Sequence, residues 1–231
     1  LTAKALKVEL LVHYGHSCLI PIDHTSEIKV LYVFVSISID PLHLLDTIKL
    51  NFPKTAKLAI VSTIQFIATL QGVCSELRNL DYEVKVPQSK PLSPGEILGC
   101  TAPFVGCVNA LIYVGDGRFH MESAMIANPN VQTYRYDPYE KKFTKEYYDH
   151  DLMRQTREKC INEAKKATRV GVIMGVLGRQ GNPKVVDHMC KRLEENGRVP
   201  FIILLSEIFP NKLNLFSPIE HFVQIACPRL S

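Results

Sequence analysis

Apolar residues along this chain fall into short dense runs separated by stretches whose apolar positions recur every three to four residues. The dense runs predict strands over Val8–Val12, Lys29–Ser36, Lys57–Ser62, Tyr82–Val86, Ala110–Val114, Val170–Val176, Phe201–Leu205 and Phe222–Ile225. The amphipathic stretches predict helices over Leu42–Leu50, Phe66–Asn79 and His150–Ala167, and from Asn182-Pro183 to Glu195. Asp40-Pro41 and Asn182-Pro183 are start signals, a capping side chain followed by Pro at the first helical position. The prolines between Pro87 and Pro94 mark a loop, and Asn128–Lys142 reads as loop-rich, with Tyr134, Tyr136 and Tyr139 as a packing cluster.

Strands alternating with helices define an α/β protein with mainly parallel sheets. Three related α/β domains are expected: the tail of a truncated first domain over 1–26, a second over 27–125 and a third over 126–231. Each carries an apolar strand that runs into a polar loop bearing Gly or Cys, as in Leu-Leu-Val-His13-Tyr-Gly-His16, Leu-Ile-Tyr-Val-Gly115-Asp-Gly117 and Phe-Val-Gln-Ile-Ala-Cys227-Pro. In parallel sheets such loops lie at the ligand-facing carboxyl ends of the strands.

Composition narrows the class. Of 231 residues, 46% are hydrophobic and 22% charged, which excludes a disordered chain. The net charge of +4 is too small and too evenly spread to argue for nucleic-acid binding. Val30–Ile39, broken by serines, falls far short of the roughly 20 apolar residues that span a bilayer. The chain opens at Leu1 with no basic and apolar leader, and both ends are expected to be truncated.

Seven cysteines without a CxxC pair argue against a disulfide framework, a zinc ribbon or a thioredoxin-like motif. Cys74, Cys160 and Cys190 sit in helical stretches and Cys107 precedes a strand; packing is the plain reading for each. Cys18, Cys100 and Cys227 differ, since each lies at a strand end or in a loop beside Gly, Pro or polar residues. They are far apart in sequence and can converge only if separate units each supply one, with their loop edges turned inward.

Three polar constellations remain. His13-Tyr-Gly-His16-Ser-Cys18 offers two imidazoles and a thiolate to zinc, or to a hydrolase, but ligands so close at a strand end strain a tetrahedral site. Loop hydrogen bonding or a substrate role are the other readings. Gly115-Asp116-Gly-Arg118-Phe-His120 crowds an acid, a base and an imidazole after one strand, with Asp116 either a functional group or a turn cap. Gly178-Arg179-Gln180-Gly181-Asn-Pro183 joins a strand to a helix N-terminus through glycines, an arrangement suited to a carboxylate with Arg179 as its partner, or an ordinary turn. It matches neither the Walker A nor the dinucleotide fingerprint.

Taken together, the chain resembles the catalytic subunit 1 family of 2-(3-amino-3-carboxypropyl)histidine synthase, which performs the first step of diphthamide biosynthesis. The resemblance runs through His13–Asp23, Val30–Val35, Ser62-Thr-Ile-Gln-Phe66, Lys90-Pro-Leu-Ser-Pro-Gly-Glu-Ile-Leu-Gly-Cys-Thr101, Gly115–His120, Ala127-Asn-Pro-Asn130, Tyr134–Tyr139, Leu177–Gly181, Leu205–Pro210 and Gln224–Ser231. The start of the first domain and the family's usual C-terminal tail are missing, and Cys100–Ala110 is shorter than the family pattern.

The resemblance implies that Cys18, Cys100 and Cys227, one from each domain, bind a central 4Fe–4S cluster with one iron open to S-adenosylmethionine. It implies cleavage of the Cγ–S bond and transfer of a 3-amino-3-carboxypropyl radical to a histidine of translation elongation factor 2. It also implies a cytoplasmic heterodimer with a paralogous second subunit, fed by a small metalloprotein electron donor, with no membrane and no direct nucleic-acid contact. The amino-acid end of the cosubstrate is expected near Gly178, Arg179, Gln180, Gly181, Ser206 and Glu207, with Asp116, Arg118 and His120 facing the target histidine or the adenosine. A non-catalytic paralogue and a zinc or thiol hydrolase using His13, His16 and Cys18 are the alternatives.

Overall fold

The computed structural model describes residues 2–15, 28–90, 92–99, 101–176 and 181–226. It divides into two compact units, one of 1–17 with 25–148, the other of 18–24 with 149–231. Among the described residues the strands form three sheets.

In the first unit, a short helix α1 (Thr2–Ala5) precedes β1 (Leu10–Gly15), which pairs in parallel with β2 (Lys29–Phe34). The main sheet follows: α2 (Pro41–Asn51), β3 (Lys57–Ser62), α3 (Ile67–Asn79), β4 (Glu83–Lys85), β5 (Ala110–Val114), α4 (Phe119–Ala127), β6 (Gln132–Asp137) and β7 (Lys142–Glu146). The strand order is β4-β3-β5-β6-β7, parallel except for the β6–β7 hairpin. Burial explains the sequence pattern. Leu58 and Ile60 of β3 and Ala110, Ile112 and Val114 of β5 point to the face covered by α2 and α3. Ala59, Val61, Leu111 and Tyr113 alternate to the other face, under α4 and Ile97. Strands covered on both faces read as unbroken apolar runs. Helix α3 presents Ile67, Leu70, Val73, Cys74 and Leu77, spaced three and four apart, to that core.

The second unit holds α5 (His150–Ala164), β8 (Arg169–Gly175), α6 (Pro183–Glu195), β9 (Val199–Leu205), a short α7 (Pro210–Leu213) and β10 (His221–Ile225). Its sheet is all parallel in the order β10-β8-β9. Val172, Val186 and Cys190 form its small core, whereas α5 buries no residue.

Several sequence expectations shift. The stretch 128–142, read as loop, contains β6 and opens into β7. Tyr134 stacks on Phe143 at 5.3 Å and meets Phe52 edge-on at 5.1 Å, so aromatic pairing holds a hairpin whose polar residues disguise it. Its register with β5 carries the first unit to Tyr148, past the expected boundary at 125. Strand β1 runs to Gly15, which places His13 within a strand, its ring 5.5 Å from that of Tyr32. The last helix turn expected at 165–167 lies outside α5, because the Arg198 guanidinium donates to the carbonyls of Ala164, Lys165 and Ala167 and closes the helix there.

Candidate functional site at the carboxyl ends of the strands

From β3 the chain goes to β4 on one side and then to β5 on the other. This reversal is a topological switch point, and ligand crevices open outside the carboxyl ends of the strands there. A cavity of about 310 Å³, counted with its open mouth, lies at this place, lined by Thr63, Ile64, Gln65, Ile97, Leu98, Asp116 and His120. One wall is the continuation of β3. The Ser62 N–H donates to the Gly95 carbonyl at 2.8 Å and the Ile97 N–H donates to the Ser62 carbonyl at 3.0 Å, so residues 95–97 run beside the end of β3. Leu98 and Thr101 then exchange backbone hydrogen bonds of 3.4 and 3.2 Å. The residues between them include Cys100, which lies outside the described residues.

The other wall follows β5. A Cβ on Gly115 would stand 2.5 Å from the Tyr113 hydroxyl, so only glycine lets that phenol donate to the Asp116 carbonyl. Burial, and then the nearby Asp116 carboxylate, push the Tyr113 phenol upward, which keeps it neutral. Asp116 is exposed, and His120 lies in the first turn of α4. That helix was not foreseen; Arg118 and His120 were expected at a strand end. Arg118 does not line the cavity. Its Nε donates to Glu122 at 3.1 Å, one terminal nitrogen pairs with Glu146, and the other donates to the Tyr147 carbonyl at 2.9 Å. It ties the start of α4 to β7.

In the second unit, β8, β9 and β10 end at one edge because all are parallel. Gly181 sits against the end of β8, where a Cβ would come within 2.4 Å of the Gly175 carbonyl oxygen. Asn182 then caps α6, its side-chain oxygen accepting from the Lys184 N–H at 3.0 Å. Ser206 and Glu207 follow β9 and are exposed. Gly178, Arg179 and Gln180 lie outside the described residues, as do His16, Cys18 and Cys227. Among the described residues no three His, Cys, Asp or Glu side chains converge as a metal site, and no helix is long and apolar enough to cross a membrane. Burial pushes the Cys74 thiol up to about 12, which makes it an inert packing group.

Thr63, Gln65, Ile97 and Leu98 were not singled out from the sequence. The usable signal was Ser62-Thr-Ile-Gln, where polar residues interrupt an apolar run directly after a doubly buried strand.

Mixed α/β units with polar loops at the carboxyl edges of parallel sheets define the class, and the comparisons narrow it. The family described as "Putative diphthamide synthesis protein" matches residues 1–231, and the chain belongs to it. It is 56% identical over 230 residues to 2-(3-amino-3-carboxypropyl)histidine synthase subunit 1 of Nematostella vectensis, covering 100% of this chain and 49% of the relative. The Danio rerio protein of that name is 60% identical over 220 residues, 95% of this chain and 58% of the relative. The chain thus spans about half the length of the curated relatives it matches. Crystal structures of Dph2 from Pyrococcus horikoshii share the fold with a TM-score of 0.76 at 26% identity, over 99% of this chain and 66% of the solved one. One of them contains a 4Fe–4S cluster.

Proposed function

We propose that this chain serves the first step of diphthamide biosynthesis: transfer of the 3-amino-3-carboxypropyl group of S-adenosylmethionine to a histidine of elongation factor 2. The observation that carries this reading is the full-chain similarity, at 56% identity, to proteins named 2-(3-amino-3-carboxypropyl)histidine synthase subunit 1.

A 4Fe–4S cluster fits the donor set. In sequence, Cys18 follows the end of β1 by three residues, Cys227 follows the end of β10 by two, and Cys100 stands between Leu98 and Thr101. Three thiolates suit iron–sulfur ligation and leave one iron without a protein ligand. When bound, the cluster supplies the electron that opens the Cγ–S bond, and the protein's own task is to aim that bond.

Gly178, Arg179, Gln180 and Gly181 bind the cosubstrate carboxylate through backbone N–H groups and the Arg179 guanidinium. Ser206 and Glu207 accept from its ammonium. Asp116 and His120 face the crevice, while Arg118 acts by holding their loop in place. The chain works with a paralogous second subunit and a small metalloprotein electron donor in the cytoplasm.

The test is anaerobic analysis of the purified protein for iron and sulfide, followed by mass spectrometry of elongation factor 2 after incubation with S-adenosylmethionine, the second subunit and a reductant. Expected are about four irons and four sulfides and a modified histidine. Zinc without sulfide, or no modification by a fully loaded complex, would overturn the proposal.

A further inference from the structure

The crevice wall that follows β5 is held from outside by a carboxylate on β7. Arg118 stands between two residues that line the crevice, Asp116 and His120, and does not line it itself. Its side chain leaves toward β7, where one terminal nitrogen pairs with the Glu146 carboxylate and the other donates to the Tyr147 carbonyl at 2.9 Å. Helix α4 has no side-chain cap at its start, and this tether fixes the first turn in place of one. The Glu146 side chain is only 11% exposed and is set by the sheet rather than by Arg118. The Thr144 hydroxyl donates to one of its oxygens at 2.7 Å, and Arg135 Nε lies 3.4 Å from that same oxygen. That Nε is buried and has no hydrogen bond among the described residues, so Glu146 is its countercharge. The other carboxylate oxygen takes Arg118. One pre-set, largely buried acid thus serves two arginines, and charge-assisted pairs in such places hold their geometry strongly.

We infer that Glu146 is a positioning residue that holds Arg118 out of the crevice and so sets the charge the crevice presents. A guanidinium rooted between two lining residues is within its own length of the crevice, and its partners decide which way it points. With Arg118 drawn to Glu146, the Asp116 carboxylate faces the crevice without that cation beside it, which suits a cationic ligand such as a sulfonium. Without Glu146, Arg118 and Arg135 lose their shared acid, and a mobile cation stands at the mouth of the site. The inference rests on the proposed use of S-adenosylmethionine, and it gives this chain a residue, remote from the reacting atoms, that selects for the charge of that cosubstrate.

Calorimetric titration of the full chain, its cluster reconstituted anaerobically and left oxidised, with S-adenosylmethionine and with S-adenosylhomocysteine tests it. The second ligand lacks the methyl group and with it the sulfonium charge, so the ratio of the two affinities reads charge selection and is blind to a general loosening of the site. Glu146→Gln keeps the shape and the acceptor for Thr144 but removes the charge, and it should lower the preference for S-adenosylmethionine about 10-fold, the effect of placing a like charge beside the ligand. That loss should shrink with added salt. Arg118→Ala should leave the ratio at the parent's value, and Arg118→Ala combined with Glu146→Gln should restore it, because no cation is left to release. Melting curves establish that each variant is folded. Should Glu146→Gln not fold, Glu146→Asp, which shortens the tether and keeps the charge, should lower the ratio in the same direction. An unchanged ratio, an equal loss of both ligands, or a ratio still lowered in the double variant would overturn the inference while leaving the proposed reaction standing. Failure of the parent to bind either ligand would overturn both.

Discussion

The two units share one topological plan and differ in how well they cover it. Each has a central parallel strand, a crossover to one side and a return to the other, β3 with β4 and β5 in the first, β8 with β9 and β10 in the second. In the first, β5 is buried along its whole length, with layers on both faces. In the second, β9 leaves Phe201, Ile202 and Leu204 between 41% and 58% exposed. Polar closures hold that unit instead: Arg198 on the end of α5, and Glu220 accepting from the Thr168 N–H at 2.7 Å and from Arg169. Both nevertheless gather their polar loops at one sheet edge. Placement of a site follows from strand order and direction, whereas stability follows from coverage.

The largest test of this contrast is core truncation. Leu58→Ala and Leu111→Ala remove fully buried side chains and should each destabilise the first unit by about 2–5 kcal/mol. Ile202→Ala on the 56% exposed strand position should cost about 0.5 kcal/mol or less. Denaturant titration followed by circular dichroism reads both. A cost above about 2 kcal/mol for Ile202→Ala would break the contrast, because it would mean that something covers β9 in solution.

Next comes Gly181→Ala. The new methyl would stand 2.4 Å from the Gly175 carbonyl oxygen and 2.6 Å from Met174 Cγ. The end of β8 or the start of α6 must move, at about 1–3 kcal/mol, the usual range for overpacking. A melting temperature equal to the parent's would show that the approach of loop to strand is looser than this. A smaller effect is expected from Asn182→Ala, which removes the α6 cap and should cost about 1 kcal/mol. No change in thermal stability would mean that water replaces the cap without loss.

The same contrast decides what could be read from sequence. The helices with capping signals appeared where expected: α2 begins at Pro41 after Asp40, and α6 at Pro183 after Asn182. The doubly buried strands β3 and β5 matched their apolar runs residue for residue. The hairpin β6–β7 did not, because all its strand positions but Tyr134, Tyr136 and Phe143 are polar or charged and its aromatic pairs, such as Tyr134 with Phe143, form only across strands. Helix α4 was hidden for another reason. The glycines and charges of 115–120 resemble a loop, and the ties that fix its start, Arg118 to Glu146 and to the Tyr147 carbonyl, span about 28 residues of sequence. The crevice was partly legible: Asp116 and His120 stood out by residue type, while Thr63 and Gln65 became candidates only once β3 and β5 were adjacent.

The smallest effect is one of pH, and it separates the units by their polar closures. The Thr168 N–H, followed by the Arg169 guanidinium, holds the Glu220 carboxyl below its ordinary value of 4.5. A carboxylate depressed in the folded state contributes stability that is fully present above that ordinary value and is lost as pH falls through the lowered folded one. Acidification from pH 5 should therefore loosen the junction of β8 and β10. The Arg169 share should shrink with added salt, since both side chains are exposed, whereas the backbone hydrogen bond should persist. The Thr168 amide proton shift, followed by NMR across this range, reports the titration directly. Glu220→Gln should flatten it and remove the acid-dependent part of the second unit's melting curve. Asp40, held low by Lys141 and the His43 N–H in the first unit, should titrate unchanged in that variant. A Thr168 shift that titrates identically in parent and Glu220→Gln would show that another group controls the junction, and the polar closure of the second unit would have to be assigned elsewhere.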